Sequence, residues 1–143
     1  MPDNEHYELL TFDPANWNEW RCDNPGEIPQ LFNADLRGKD LRGVDLSRAN
    51  LQRGDFYKSC LQKATLNGAD LSRADLANAN FIEAILAGAD LTNVQGEWGC
   101  FVDADLRGAV LAEAVFNEAA LDGANLSKVN ALGADFIRAT FRN

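Results

Sequence analysis

The feature that most constrains this chain is a hydrophobic residue at every fifth position over most of its length. Steps of five from Leu31 to Phe141 give 23 positions, here called the centre residues, and all but two are Leu or Phe. The two exceptions are Gly96 and Ala131, and neither shifts the frame of the positions that follow. The spacing is therefore unbroken through the repeat region.

A five-residue spacing suits neither a straight helix nor a straight strand. In an α-helix, five steps of about 100° leave successive centre residues about 140° apart, so they form no common face. In a β-strand, side chains alternate between faces, so an odd spacing sends successive centre residues to opposite sides. A chain that bends once per repeat instead delivers each centre to the same interior, and stacked bends of this kind predict an all-β solenoid.

The other positions of the repeat favour the same bend. The residue two before each centre is small at nearly every repeat, which lets neighbouring walls pass close to the axis. The residue directly before the centre is mostly Asp or Asn, as in Asp35 and Asp70, whose side chains can bond backbone amides at a bend. Glycines two residues after the centre tolerate the positive φ that a type II turn requires, and these are Gly38, Gly43, Gly68, Gly88, Gly108, Gly123 and Gly133.

The stretch ADLSRADLANANF, residues 69–81, shows the repeat in its clearest form. This A(D/N)LXX pattern resembles the pentapeptide-repeat family over residues 29–143. The resemblance implies a right-handed quadrilateral β-helix with four pentapeptides per coil, here about five and a half coils. The phenylalanines agree with twenty residues per coil, because that register places them in two columns: Phe56, Phe116 and Phe136, and Phe81, Phe101 and Phe141.

Residues 1–28 lie outside the repeat, so we divide the chain into an N-terminal segment, 1–28, and a repeat domain, 29–143. Within DPANWNEWR, Asp13 is suited to cap a short helix that has proline at its first position. Trp17 and Trp20 then share one helix face, and we expect them to cover the first coil, because an open solenoid end invites aggregation. The alternative is a partner-binding aromatic pair. The W..WR..NP pattern of this segment resembles cyanobacterial members of the family.

The stretch GEWGC, residues 96–100, is the most altered repeat, and Gly96 leaves a hole in the centre column between Leu76 and Phe116. Empty volume in a packed core is costly, so one interpretation is that Trp98 turns inward or Phe116 shifts to fill the hole. The alternative is that Trp98 stands outside as a recognition residue.

The sequence shows no catalytic constellation. His6 is the only histidine, in a segment expected to lack regular structure, and the four serines are scattered over the repeats. The many Asp residues occupy a repeat position that explains them structurally. We therefore expect no enzyme activity, no catalytic or metal site and no cofactor.

Charge and composition argue against several other classes. A formal charge of -9 at pH 7 disfavours direct binding of DNA or RNA. No run approaches about eighteen apolar residues and the acidic N-terminus has no apolar run, so we expect neither a membrane span nor a signal peptide. Three cysteines without close spacing indicate reduced thiols in the cytoplasm. Cys60 and Cys100 are expected two coils apart, roughly 9–10 Å, which is too far for a disulfide.

Outward apolar residues indicate a small interaction scaffold with an unidentified protein partner. Ile82 and Val102 lie twenty residues apart and are expected to stack on adjacent coils. Ile85, Val110 and Val115 replace the usual Asp or Asn. The candidate interaction surface comprises Ile82, Trp98, Val102 and Phe141.

The alternative function is DNA mimicry. Quinolone-resistance and gyrase-inhibiting relatives resemble a duplex in width and negative charge and engage DNA gyrase. The acidic total and a column containing Asp35, Asp55, Asp75 and Asp135 fit this reading. The basic residues of the early coils, among them Arg37, Arg53 and Arg73, interrupt any continuous negative stripe.

The last repeats, ADFIRATFRN, remain in frame, so Phe136, Ile137, Phe141 and Leu132 are expected at or near an open end. Arg138 and Arg142 can lie across that end, or two copies can meet end to end about a two-fold axis. Gyrase-directed relatives dimerise through their C-terminal ends. One coil end is small beside the roughly 800 Å² per partner of a standard interface, so we expect a monomer or a weak C-terminal homodimer.

Overall fold

The structure, a computed structural model, describes residues 3–142 and consists of two short helices followed by a regular coil. Helix α1 spans Asn4–Phe12 and helix α2 spans Pro14–Asp23. In the coil, the residue before each centre forms an isolated parallel bridge with the residue twenty positions later, from Gln30 with Asn50 to Ala120 with Thr140. Each turn of the described coil therefore contains four pentapeptides.

Every pentapeptide bends in the same way. The carbonyl of the centre accepts a hydrogen bond from the amide three residues later, as between Leu31 and Ala34 at 3.1 Å. The residue two after the centre has positive φ in seven glycines and in fifteen other residues. The prediction for the seven glycines is confirmed, and the structure extends the conformation to residues such as Arg53, Lys63 and Glu83. The ladder between coils thus overrides the local preference of these side chains.

The Asp or Asn before the centre bonds the bend as predicted. In each case the side-chain oxygen accepts a hydrogen bond from the amide two residues later, at 2.9 Å for Asp75 and Ala77. The residues that do so are Asp35, Asp40, Asp45, Asn50, Asp55, Asp70, Asp75, Asn80, Asp90, Asp105, Asn125, Asn130 and Asp135. These bonds fix the entry to the turn in the manner of an Asx-turn.

The interior is a stack of centre residues flanked by the small residues two positions before them. The predicted phenylalanine columns are present, because Phe81 stacks on Phe101 at 4.9 Å and Phe116 stacks on Phe136 at 5.6 Å between ring centroids. Phe101 also contacts Phe116 edge to face at 5.2 Å, which joins the two columns across the interior.

The N-terminal segment is more ordered than its sequence indicated. Helix α2 begins at Pro14 with Asp13 as its N-cap, as predicted. The expectation that His6 lies outside regular structure is wrong, because α1 includes it. The Asp3 side chain accepts hydrogen bonds from the amides of Glu5 and His6, which satisfies the first turn of α1.

Side chains of the two helices form hydrogen bonds with backbone groups at the edge of the first coil. The Tyr7 hydroxyl donates to the Asp35 carbonyl at 2.9 Å, and the Trp17 indole donates to the Asp45 carbonyl at 2.8 Å. The Asp45 amide donates to the Asn18 side chain, and Arg21 donates to the Ser47 carbonyl. Since no coil precedes this edge, these side chains take the place of a neighbouring ladder.

Both tryptophans belong to this cover. Trp17 is fully buried, and Trp20 is half-buried against it with ring centroids 5.2 Å apart. His6 packs edge to face on Trp20 at 4.9 Å. Trp17 therefore offers no surface to a partner.

Packing loosens toward the last coil. Leu121 is the last fully buried centre, whereas Leu126 and Phe136 are only half-buried. The side chains expected at an open end are exposed, and these are Leu132, Ile137 and Phe141.

The described helices are too short and polar to cross a membrane. The cysteines Cys22, Cys60 and Cys100 are free. The bridges place Asn80 between Cys60 and Cys100, two coils apart on one face as predicted.

Candidate interaction surface

One flat side of the coil collects most of the candidate residues. Successive parallel bridges link its middle column from Asp40 to Thr140, and the candidate residues border the part from Cys60 through Asn80 and Cys100 to Ala120. The residues two positions before and two positions after each member of this column lie on either side of it, toward the corners of the coil. We call this surface the Cys100 face, and it comprises Lys58, Asn78, Trp98 and Glu118; Cys60, Asn80, Cys100 and Ala120; and Gln62, Ile82, Val102 and Asp122.

Trp98 stands on the outside of this face. Its side chain is 59% exposed and its backbone has φ +61°, at a corner of the coil. The Phe116 ring occupies the space beside Gly96, because a Cβ built there would lie 2.7 Å from that ring. The hole is thus filled by Phe116, as one interpretation had it, and Trp98 remains free to face solvent.

Ile82 and Val102 lie on adjacent coils at the opposite edge of the Cys100 face. Both are half-buried, and the Glu83 amide donates to the Val102 carbonyl at 3.0 Å, which fixes the two coils against each other. Ile85, just around this corner, is exposed and extends the apolar surface.

Phe141 does not join these residues. It lies in the last coil, 48% exposed, and contacts Phe136 at 5.7 Å between ring centroids. The structure therefore brings together Ile82, Trp98 and Val102 and leaves Phe141 at the far end.

Sequence reasoning missed the neutral middle of this face and the charges at its two ends. Cys60, Asn80, Cys100 and Ala120 carry no charge, whereas most corresponding residues of the other sides are Asp or Asn. Lys58 lies at one end of the Cys100 face and Glu118 lies at the other end. Folding the sequence at twenty residues per row would have shown this column.

Several carboxylates along the coil are paired with arginines. Arg37 bonds Asp35 at 2.6 Å and lies 3.5 Å from Asp55. The hydrogen bond from Arg37 holds the pKa of Asp35 below its usual value. Arg107 likewise lowers the pKa of Asp105 through its side-chain hydrogen bond. These ion pairs are exposed, so each contributes little to stability.

The remaining chemistry of the surface is sparse. A groove of about 420 Å³ is lined by alternating acidic and basic residues that include Asp55, Asp75, Arg53 and Arg73. Among residues 3–142, no group of three or more His, Cys, Asp or Glu side chains is arranged to hold a metal ion. The Cys100 face is accordingly the candidate site.

Comparisons with family models and with solved structures point to the same family. A family model described as pentapeptide repeats, in eight copies, matches residues 30–62, 59–94 and 100–143. The chain is 31% identical to a pentapeptide repeat protein of the Arabidopsis thaliana thylakoid lumen, with a TM-score of 0.56, covering 76% of this chain and 72% of that one. No curated protein matches the sequence.

Two cyanobacterial structures are also similar. Rfr23 from Cyanothece 51142, a pentapeptide repeat protein, is 33% identical, with 68% of this chain and 64% of that chain covered and a TM-score of 0.39. HetL from Nostoc sp. strain PCC 7120, a pentapeptide repeat protein involved in heterocyst differentiation regulation, is 29% identical, with 73% and 56% covered and a TM-score of 0.40.

Proposed function

Because this chain belongs to the pentapeptide-repeat family, we propose that it is a non-enzymatic scaffold that binds a protein partner through the Cys100 face. The proposal takes the coil to be a right-handed quadrilateral β-helix of about five and a half turns. The observation that carries it is the exposure of Trp98, 59%, on a side whose middle column is uncharged from Cys60 to Ala120.

An aromatic side chain in this position is suited to recognition. Interfaces are enriched in tryptophan, which contributes a large contact area with few rotatable bonds. The Trp98 amide donates to the Asn117 carbonyl at 3.1 Å, so its backbone is fixed by the next coil. The half-buried Ile82 and Val102 complete an apolar strip across the face.

The charge pattern supports the scaffold over a gyrase-directed DNA mimic. A mimic needs a continuous negative surface, yet Asp35 and Asp55 share the guanidinium of Arg37. Arg53 and Arg73 lie beside the same column. Inhibition of gyrase supercoiling at micromolar protein would favour the mimic instead.

We also assign the protein to the cytoplasm, on the basis of its three free cysteines. One similar structure comes from the thylakoid lumen, so the assignment is open to test by fractionation of the native host.

Affinity capture from the native host, with mass spectrometry, tests the scaffold function. The Trp98→Ala variant and the Ile82→Asp/Val102→Asp double variant should lose the partner that wild type retains. The matched control is Thr92→Asp/Ala112→Asp, because these two half-buried residues occupy the same repeat position on another corner. Equal capture by all four proteins would refute the proposed face.

A further inference from the structure

We propose that the partner of the Cys100 face is a second copy of this chain, docked antiparallel about a two-fold axis. The inference rests on the proposed function, since it uses the same face. The axis lies across the face between the rows that contain Asn80 and Cys100, perpendicular to the axis of the coil.

The first ground is the electrical polarity of the coil. All four corner residues of one early turn are basic, whereas the corners of a later turn are mainly acidic. The basic corners are Arg48, Arg53, Lys58 and Lys63, and the acidic ones are Asp103, Glu113 and Glu118. Two copies docked antiparallel through the Cys100 face place the basic turn of each beside the acidic turn of the other, which is favourable, whereas Glu83 at the edge of that face lies opposite Asp103 of the second copy with like charge.

The second ground is the self-complementarity of the Cys100 face. Bridges of twenty residues place the Lys58 row one coil before Asn80 and the Glu118 row one coil after Cys100. The two-fold axis therefore puts Lys58 opposite Glu118 of the second copy. By the same operation Ile82 lies opposite Val102 of the second copy, so apolar meets apolar.

The third ground is that two of the other three sides are less suited to this pairing. On the side that contains Asp70, the same operation sets Asp70 opposite Asp90 of the second copy, and like charges repel. The side that contains Asp55 and Asp75 would bring its carboxylates and their arginine partners into the contact. The middle column of the Cys100 face is neutral throughout Cys60, Asn80, Cys100 and Ala120.

Trp98 fits this arrangement without a clash between symmetry mates. It lies opposite Asn78 of the second copy rather than opposite another tryptophan, because the operation exchanges the two central rows. Asn78 of the second copy then covers the exposed indole, and its side-chain oxygen can accept a hydrogen bond from the indole N–H.

The contacts that Lys58 and Glu118 make within one copy leave both side chains able to pair with the second copy. Lys58 lies over the Tyr57 ring at 5.0 Å and forms no ion pair with a carboxylate of residues 3–142, so it is available to donate to the second copy. Glu118 contacts Arg138 at 3.3 Å, with the arginine side chain 77% exposed, and such a pair is readily shared. The face is small beside a standard interface, so we expect weak, concentration-dependent association.

Two charge-reversal variants, studied alone and mixed, test the geometry. Their association is measured by sedimentation equilibrium at up to about 1 mM protein. Lys58→Glu and Glu118→Lys should each lower the association constant about tenfold, because each homodimer then contains two repulsive pairs. An equimolar mixture of the two variants should recover association close to that of wild type, since both contacts become attractive again. The control pair is Arg53→Glu and Glu113→Lys on a far corner, and neither should change the association.

Three results would overturn the inference. Wild type could remain monomeric at the highest concentration, the far-corner variants could weaken association equally, or Phe141→Asp alone could abolish it, which would place the contact at the last coil. The proposed function is separable from these outcomes. A monomeric wild type whose capture of another protein still depends on Trp98 keeps the scaffold and rejects the second copy.

Discussion

Left-handed backbone at the corners sets the energetics of individual residues. Fifteen residues other than glycine adopt φ between +56° and +62°, a conformation that costs an L-residue roughly 1–2 kcal/mol. Each corner amide from Asn33 to Gly123 bonds the next coil, as Arg53 does to the Ser72 carbonyl at 3.0 Å. Burial of one Leu or Phe centre contributes about 1.5–3 kcal/mol, which offsets the strain of its own corner.

Replacing either of two glycines with alanine should lower the free energy of unfolding, for a different reason in each case. At Gly88, φ is +67° and a Cβ meets nothing within 4 Å, so Gly88→Ala should lower the free energy of unfolding by about 1 kcal/mol through backbone strain alone. At Gly96, a Cβ would lie 2.7 Å from the Phe116 ring, so Gly96→Ala should cost about 1–3 kcal/mol through overpacking.

Denaturant unfolding of double variants separates the two causes. Phe116→Leu removes the obstructing ring, so it should partly rescue Gly96→Ala and show a coupling of about 1 kcal/mol. The same change should be additive with Gly88→Ala. Additivity in both cases would mean that the Phe116 ring does not fill the space beside Gly96.

At the scale of elements, α1 and α2 act as a substitute for a preceding coil. Their side chains bond backbone groups of Asp35, Asp45 and Ser47 that would otherwise lack partners at the edge. A buried Trp17 adds apolar contact beneath the same helices. The cover therefore combines hydrogen-bond satisfaction with burial, and either loss leaves an exposed edge.

Variants of α2 should destabilise the first coil. Trp17→Ala should cost about 3–5 kcal/mol by leaving a cavity, and Arg21→Met about 1–3 kcal/mol by leaving the Glu27 and Ser47 carbonyls without their donor. Both should increase light scattering on mild heating. Glu19→Ala, on the exposed side of the same helix, is the control and should melt like wild type. An unchanged melting temperature for Trp17→Ala would contradict a covering role.

The whole molecule behaves as a row of coils in which each contacts its neighbours. Stability in such an array is a sum over coils and their interfaces, so it is lower where one interface is missing. Burial follows this rule, because all the centres from Leu31 to Leu121 are buried, while later centres are half-buried or exposed.

Hydrogen exchange should report the same gradient. Amides in the middle of the coil, such as Leu86 bonded to the Asp105 carbonyl at 2.7 Å, should exchange slowest. Amides of the last coil, from Leu126 onward, should exchange fastest, with the first coil intermediate because the helices cover it. Native-state exchange measured by NMR checks this order, and uniform protection along the chain would contradict it.

The repeat alone determined the bend, the buried centres and the bonding role of Asp and Asn, because these depend on residues within five positions of one another. The twenty-residue register was also accessible, since the phenylalanines mark its columns. Helix α2 was predicted from Asp13 and Pro14 for the same local reason. Helix α1 was missed although Asp3 could have signalled its N-terminus.

Only the tertiary structure decided the questions that depend on distant atoms. Tyr7 bonds Asp35 across 28 positions, so the cover of the first coil is invisible to local pattern. Whether Trp98 or Phe116 fills the space at Gly96 depends on which ring fits between neighbouring coils, and packing chose Phe116. Likewise, eleven of the fifteen corners without glycine hold side chains other than Asn or Asp. These disfavour positive φ but adopt it, because the ladder between coils is stronger than the preference of any one residue.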